Sequence, residues 1–231
     1  MGRNSAGSSP YGESTFSAFG VRSVSMSRDF RVLLVCGSFQ ARSANRAALD
    51  VASSYIERAA HVGDEDAKGL GDIPALNMDL GDEKLDAVFG FRRQIEHSDA
   101  VLIACPEYAG AIAGGLKNAL DWIVGSGELY RKPVAIISAG TGGGAYARAQ
   151  LVQTLTWQGA HVLAELGIVA PKTKSNEAGQ FTDPATITGI EELTRRLLDV
   201  RGMSTESRRE QVRGVTDSFG IEAGHYAELD V

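Results

Sequence analysis

The sequence predicts an α/β protein: a five-stranded parallel sheet with helices on both faces. Two observations carry this. Short continuous apolar runs recur and stop at Gly or Pro, as strands buried on both faces do. The segments between them place apolar residues three and four apart, the period of an amphipathic helix. Strands that alternate with helices make a parallel sheet, and right-handed crossovers leave few topologies for it.

The elements follow in order. Arg31-Val32-Leu33-Leu34-Val35-Cys36 is the first strand and ends at Gly37. Ala48, Val51, Ala52, Tyr55 and Ala59 mark a helix that opens at Ser43. Ile73-Pro74-Ala75-Leu76 is the second and weaker strand candidate, followed by a helix marked by Leu85, Val88, Phe89 and Ile95. Ala100–Cys105 is the third strand and Pro106 ends it. Leu116, Leu120 and Ile123 mark the next helix. Val134–Ser138 is the fourth strand, with Leu151 and Leu155 on the helix behind it. His161–Val169 is the fifth strand. Asp183 as N-cap and Pro184 at the first helical position open the last clear helix, whose stripe is Ile190, Leu193 and Leu197.

The chain has 231 residues, which favours one domain, placed at 29–200. Residues 1–28 hold eight Ser and four Gly with no apolar period, and are expected to be a disordered extension. Residues 201–231 hold few apolar residues and are expected to be a loose tail, with room for one short helix. The net charge of −6 gives no basic face for nucleic acid. No apolar run is long enough to span a membrane. No signal-peptide pattern is visible, so a cytoplasmic, reducing compartment is expected. The two cysteines form no CxxC, and no Cys/His cluster has metal-ligand spacing.

In an open parallel sheet, ligands sit beyond the carboxyl ends of the strands, at the switch in strand order. Three loops there are unusual. After the first strand, Gly37-Ser38-Phe39-Gln40-Ala41-Arg42-Ser43-Ala44-Asn45 leads into a helix N-terminus. Helix amides, Ser38, Ser43 and Asn45 as donors, and the charge of Arg42 make a phosphate cradle; an ordinary Ser cap beside a solvated Arg fits equally well. After the third strand, Pro106-Glu107-Tyr108-Ala109-Gly110 and the small residues to Gly115 let backbone approach a flat ligand. Lys117 and Asp121, four apart, suit a surface pair. After the fourth strand, Ser138-Ala139-Gly140-Thr141-Gly142-Gly143-Gly144-Ala145 formally matches a dinucleotide fingerprint, with Glu165 as a ribose acid. That fingerprint belongs in a first βαβ unit, so a backbone wall is the favoured reading here.

Together these motifs resemble the NADPH-dependent FMN reductase family. The match runs over about residues 31–170: Gly-Ser-x4-Ser-x-Asn, then Pro-Glu-Tyr with Gly-Leu-Lys-Asn-Ala-x-Asp-Trp beyond it, then Ser-x-Gly-x-Gly-Gly-Gly. The resemblance implies a flavodoxin-like three-layer sandwich with strand order 2-1-3-4-5, non-covalent FMN and a homodimer or homotetramer. It implies that Ser38, Ser43 and Asn45 hold the FMN phosphate, with Arg42 reaching it in place of the family's Arg, here Gln40. It implies that Pro106, Glu107, Tyr108 and Ala109 border the isoalloxazine, largely through backbone, and that Ser138, Gly140 and Thr141 lie along its other margin. The chain has Ala109, Ala111 and Ala113 where the family usually has Asn, Ser and Pro, which removes polar groups near the flavin.

The implied activity is an oxidoreductase: hydride passes from NAD(P)H to FMN, then electrons pass to a quinone, azo compound, metal oxyanion or free flavin. Flavin carries that chemistry, so no side chain is assigned a catalytic role and no metal is expected. An electron carrier or flavin-binding regulator without NAD(P)H turnover is the alternative, and a nicotinamide-dinucleotide protein using the 140–145 loop is a third. Cys36 and Cys105 end neighbouring strands; buried, inert thiols are expected over a redox pair.

Overall fold

Val32, Leu33, Leu34 and Val35 are all buried, which makes Phe30–Cys36 (β1) a strand covered on both faces. A computed structural model of the chain describes residues 29–221. The other strands are Val62–Asp66 (β2), Ala100–Ala104 (β3), Glu107–Tyr108 (β4), Ala111–Ile112 (β5), Pro133–Gly140 (β6) and His161–Val169 (β7). The helices are Ala44–Ile56 (α1), Asp86–His97 (α2), Gly114–Trp122 (α3), Ala145–Trp157 (α4), Pro184–Leu198 (α5) and Thr205–Ser218 (α6). The main sheet is parallel throughout, in the order β2-β1-β3-β6-β7. Counting only its own strands, that is 2-1-3-4-5, the flavodoxin-like order the resemblance implies.

Alternation along the strands builds two cores. Leu33, Val35, Val101, Ile103 and Ile136 face α2, α3 and α4, and pack with Phe91, Ile95, Leu116, Leu120, Leu151 and Leu155. Val32, Leu34, Leu102 and Ile137 face the other way, onto Ala48, Leu49, Ile56, Ile190, Leu193 and Leu197 of α1 and α5. The same alternation separates the cysteines. Cys36 packs on the α1/α5 core and Cys105 on the opposite one, so the two face opposite sides of the sheet, and both are free thiols. Burial pushes the Cys105 thiol up to about 11, which leaves it protonated near neutral pH.

Two expectations need correction. The second strand is Val-Gly-Asp-Glu-Asp at 62–66, and 73–76 is not a strand. An edge strand has one exposed side, and acidic residues there discourage further pairing, so its sequence shows no apolar run. Ile73 is buried, but its neighbourhood is tied to α3 by side chains. Asn118 Nδ2 and Trp122 Nε1 both donate to the Pro74 carbonyl at 2.8 Å, and Leu76 N donates to Asn118 Oδ1 at 2.9 Å.

The second correction concerns the loose tail. Its first part is a 14-residue helix, α6, capped by Ser204, whose Oγ accepts from Ser207 N at 3.1 Å. Helix α6 packs along β7, the edge opposite β2. Val212 enters one core while Val215 and Phe219 pack on the other, so this helix closes the sheet edge across both layers. The expected disorder of 1–28, and the end of the tail from 222 to 231, lie outside the described residues. No described helix is long and apolar enough to cross a membrane.

Candidate cofactor cleft

The carboxyl ends of β1, β3 and β6 open into a cleft of about 620 Å³. Nine of the eleven residues expected at the site line it: Ser38, Arg42, Ser43, Asn45, Pro106, Glu107, Tyr108, Gly140 and Thr141. Ala109 and Ser138 do not. Ala109 sits in the turn between β4 and β5, and Ser138 is buried under Gly144, where its Oγ has no hydrogen-bond partner.

The α1 end of the cleft has the chemistry that suits an anion. Ser43 caps the helix, its Oγ accepting from Asn45 N at 3.2 Å, and the first turn holds no acidic residue. The positive end of the helix dipole therefore faces the cleft without a protein carboxylate on it. Two arginines stand nearby and differ. Arg46 is paired with Asp66 at 2.5 Å, while Arg42 Nη2 donates to a neutral acceptor, the Glu177 carbonyl, at 2.5 Å. Asn45 is 2% exposed and its amide clamps β6: Nδ2 donates to Ala139 O at 3.0 Å, and Oδ1 accepts from Ala139 N at 2.9 Å. Its side chain thus joins the first loop to the third.

The N-terminus of α4 is arranged in the opposite sense. Gly144 occupies its N-cap with φ +64° and no capping side chain of its own. Glu107 supplies the cap from another loop, Oε2 accepting from Tyr146 N at 2.8 Å and Ala147 N at 3.0 Å. A pyrophosphate bound by a dinucleotide fingerprint would need that same helix terminus. Glu165, the candidate ribose acid, is ion-paired with Arg148. Both parts of the fingerprint are thus occupied by protein groups.

The hairpin bearing Glu107 is tight. Ala109 and Gly110 have φ of +51° and +70°, the pair of positive values that a type I′ turn requires. Gln150 of α4 holds it, Nε2 donating to Gly110 O at 3.1 Å and Oε1 accepting from Ile112 N at 3.3 Å. Tyr108, 49% exposed, stands at the cleft rim. Lys117 pairs with Asp121 on the helix surface at 2.5 Å, as its spacing predicts.

One wall has no counterpart among the expected residues. Pro171, Lys172 and Ser175 to Gln180 also line the cleft, on the side where Arg42 donates to the Glu177 carbonyl. Asn176 and Gln180 lock this segment on itself, Gln180 N donating to Asn176 Oδ1 at 3.0 Å. The signal was available: the segment follows the fifth strand, and the strand-end rule applies to it as to the others.

Comparison with known proteins agrees with this geometry. The sequence profile of the NADPH-dependent FMN reductase family matches residues 30–174. The chain is 41% identical over 167 residues to an NAD(P)H-dependent FMN reductase of Pseudomonas aeruginosa, spanning 68% of this chain and 88% of that protein. It is 32% identical to a quinone reductase of Escherichia coli over 51% of this chain and 68% of the other. Among solved structures it resembles FerB, a flavoenzyme NAD(P)H:(acceptor) oxidoreductase from Paracoccus denitrificans. The TM-score is 0.62 at 27% identity, over 74% of this chain and 96% of FerB. The chain therefore belongs to the NADPH-dependent FMN reductase family and is an oxidoreductase of the NAD(P)H-dependent FMN and quinone reductase type.

Proposed function

We propose that the cleft binds FMN non-covalently and that the protein uses it to carry reducing equivalents from NAD(P)H to small acceptors such as quinones, azo compounds, metal oxyanions or free flavin. The observation that carries this reading is the contrast between the two helix ends. The acid-free, Ser-capped end of α1 is open to a phosphate, while the equivalent end of α4 holds Glu107.

The donor set suits the group. Ser38, Ser43, the first-turn amides of α1 and the Arg42 guanidinium converge on one end of the cleft, a fit for a phosphate dianion. Pro106, Glu107 and Tyr108 on one side, with Gly140 and Thr141 on the other, offer mainly backbone to a flat ring. Gly140 has open space where a Cβ would stand, so a ring can approach its backbone closely.

FMN, when bound, accepts a hydride and passes on electrons. The work of the chain is orientation. Asn45 fixes the first loop against β6, and Glu107 fixes the second against α4, so phosphate and ring ends are held at a set separation. Backbone N–H groups at the ring edge favour the negative charge of the reduced cofactor. Tyr108 at the rim limits water and shapes the entrance for a planar acceptor. The protein works as a homodimer or homotetramer in the cytoplasm, an assembly that light scattering would measure.

The test is the visible spectrum of purified protein, before and after anaerobic addition of NADPH and then of a quinone. A flavin spectrum that bleaches with NADPH and recovers with quinone is expected. A bound flavin that neither NADPH nor NADH bleaches would replace the reductase with an electron carrier. Absence of flavin after soaking with FMN would remove the cofactor assignment.

A further inference from the structure

Arg148, in the first turn of α4, lies outside the cleft, yet it joins three parts of the molecule that surround it. Its Nε donates to the Gly143 carbonyl at 3.1 Å, in the loop that carries Gly140 and Thr141. Its Nη1 is ion-paired with Glu165 on β7. Its guanidinium carbon stands 5.9 Å from the ring centre of Phe219, the residue that ends α6. The side chain is 16% exposed, so these contacts are largely shielded from water.

The backbone around Arg148 is cut to fit it. A Cβ on Gly167 would stand 2.7 Å from the Gly143 carbonyl oxygen and 2.8 Å from Arg148 Nη2. The absent side chain at 167 is what lets the loop and the guanidinium lie on β7 together. The loop is fastened again by the Gly142–Val169 bridge and by Ala170 N donating to Gly140 O at 3.1 Å. Loop, strand and C-terminal helix therefore share one charged side chain.

We propose that Arg148 is a positioning residue for the Gly140–Gly144 wall of the cofactor cleft, and that through Phe219 it makes the C-terminal helix α6 a determinant of cofactor geometry. The proposal rests on the FMN reading only for its cofactor arm. A planar guanidinium is suited to the role because it donates to a carboxylate and a carbonyl at once while its face lies on a ring. A lysine keeps the charge but has neither the fork nor the flat face.

The test compares Arg148→Gln, Arg148→Lys and Phe219→Ala with wild type. Amide hydrogen exchange of 140–144 is read in flavin-free protein; FMN affinity and the visible circular dichroism of bound flavin are read in the loaded protein. Arg148→Gln is expected to speed exchange at 140–144 about tenfold while the α5 amides keep their wild-type rates. It is expected to weaken FMN about tenfold and change the dichroic band. Phe219→Ala should move the same quantities about threefold, and Arg148→Lys should recover part of the affinity.

Wild-type exchange at 140–144 in folded Arg148→Gln would overturn the proposal, as would faster exchange spread evenly over the whole sheet. A Phe219→Ala protein identical to wild type would remove α6 from it. If Arg148→Gln does not fold, the two milder variants decide the same points. Should wild type bind no FMN, the exchange experiment still tests Arg148, while the FMN reading fails by itself.

Discussion

Helices α1 and α4 both start from loops that follow strands of the main sheet, β1 and β6. They are finished in opposite ways. Helix α1 is capped by its own Ser43 and has no acid in its first turn, so its dipole remains available to a ligand anion. Helix α4 starts from a glycine with no cap and receives the carboxylate of Glu107 from a neighbouring loop. Two glycine- or serine-bearing strand–helix loops of one chain can therefore look like equal phosphate sites while one helix end is left open and the other is a structural joint. Whether a carboxylate from elsewhere fills the helix end separates them.

The largest expected effect breaks the α4 joint. A Cβ on Gly144 would stand 1.8 Å from Ser138 Oγ, at a φ of +64° that disfavours any L side chain. Gly144→Ala should lose about 3 kcal/mol of stability in denaturant titration. Adding Ser138→Gly removes the steric part, so the double variant should regain about half of it. An unchanged midpoint in Gly144→Ala would mean that α4 does not start at this joint.

A smaller effect separates the two ends by what each variant loses. Arg42→Ala and Ser43→Ala should each weaken FMN about tenfold, equivalent to about 1.4 kcal/mol. Stability should change by no more than about 1 kcal/mol, the worth of one cap. Glu107→Ala should reverse the emphasis, costing about 1–2 kcal/mol of stability because two helix amides lose their acceptor. Fluorescence titration with FMN and thermal melts of the apo proteins read the two quantities independently. Stronger FMN loss in Glu107→Ala than in Arg42→Ala would invert the assignment.

The smallest effect sharpens the hairpin that delivers Glu107. Ala109 pays for φ +51° without the side chain that suits it. Ala109→Asn should raise stability by about 0.5–1 kcal/mol, since Asn is favoured at this position of a type I′ turn. A lowered melting temperature would show that the turn is set by packing against α4 and not by its own residues.

Much of this was legible in the chain. The apolar runs at 32–36, 100–105 and 134–138 are strands because their residues are covered on both faces, and burial on both faces writes itself as an unbroken run; the edge strand at 161–169 is interrupted by Glu165 and Gly167 but keeps enough apolar residues to be seen. Asp183 and Pro184 mark the start of α5 because cap chemistry is local: Asp183 Oδ2 accepts from Thr186 N at 2.9 Å. Strand β2 was not legible, since an acidic edge strand pairs through its backbone and leaves little pattern in its side chains. Helix α6 was hidden for a related reason. It buries only Val212 and Thr216 fully, and it is held by the edge of β7, a surface absent from its own sequence.

The sequence by itself determined the parallel sheet, the loops at its carboxyl edge and nine of the residues that line the cleft, because strand burial, helix period and turn chemistry act over a few neighbours. Tertiary structure decided which helix end stays open, that Asn45 clamps β6, that Cys36 and Cys105 face opposite ways and that Phe219 at the end of α6 lies by Arg148. Each of these depends on groups far apart in the chain, such as Glu107 with Tyr146 or Arg148 with Glu165 and Phe219. Local propensity carries no information about such pairs; only the packed sheet brings them within hydrogen-bonding reach.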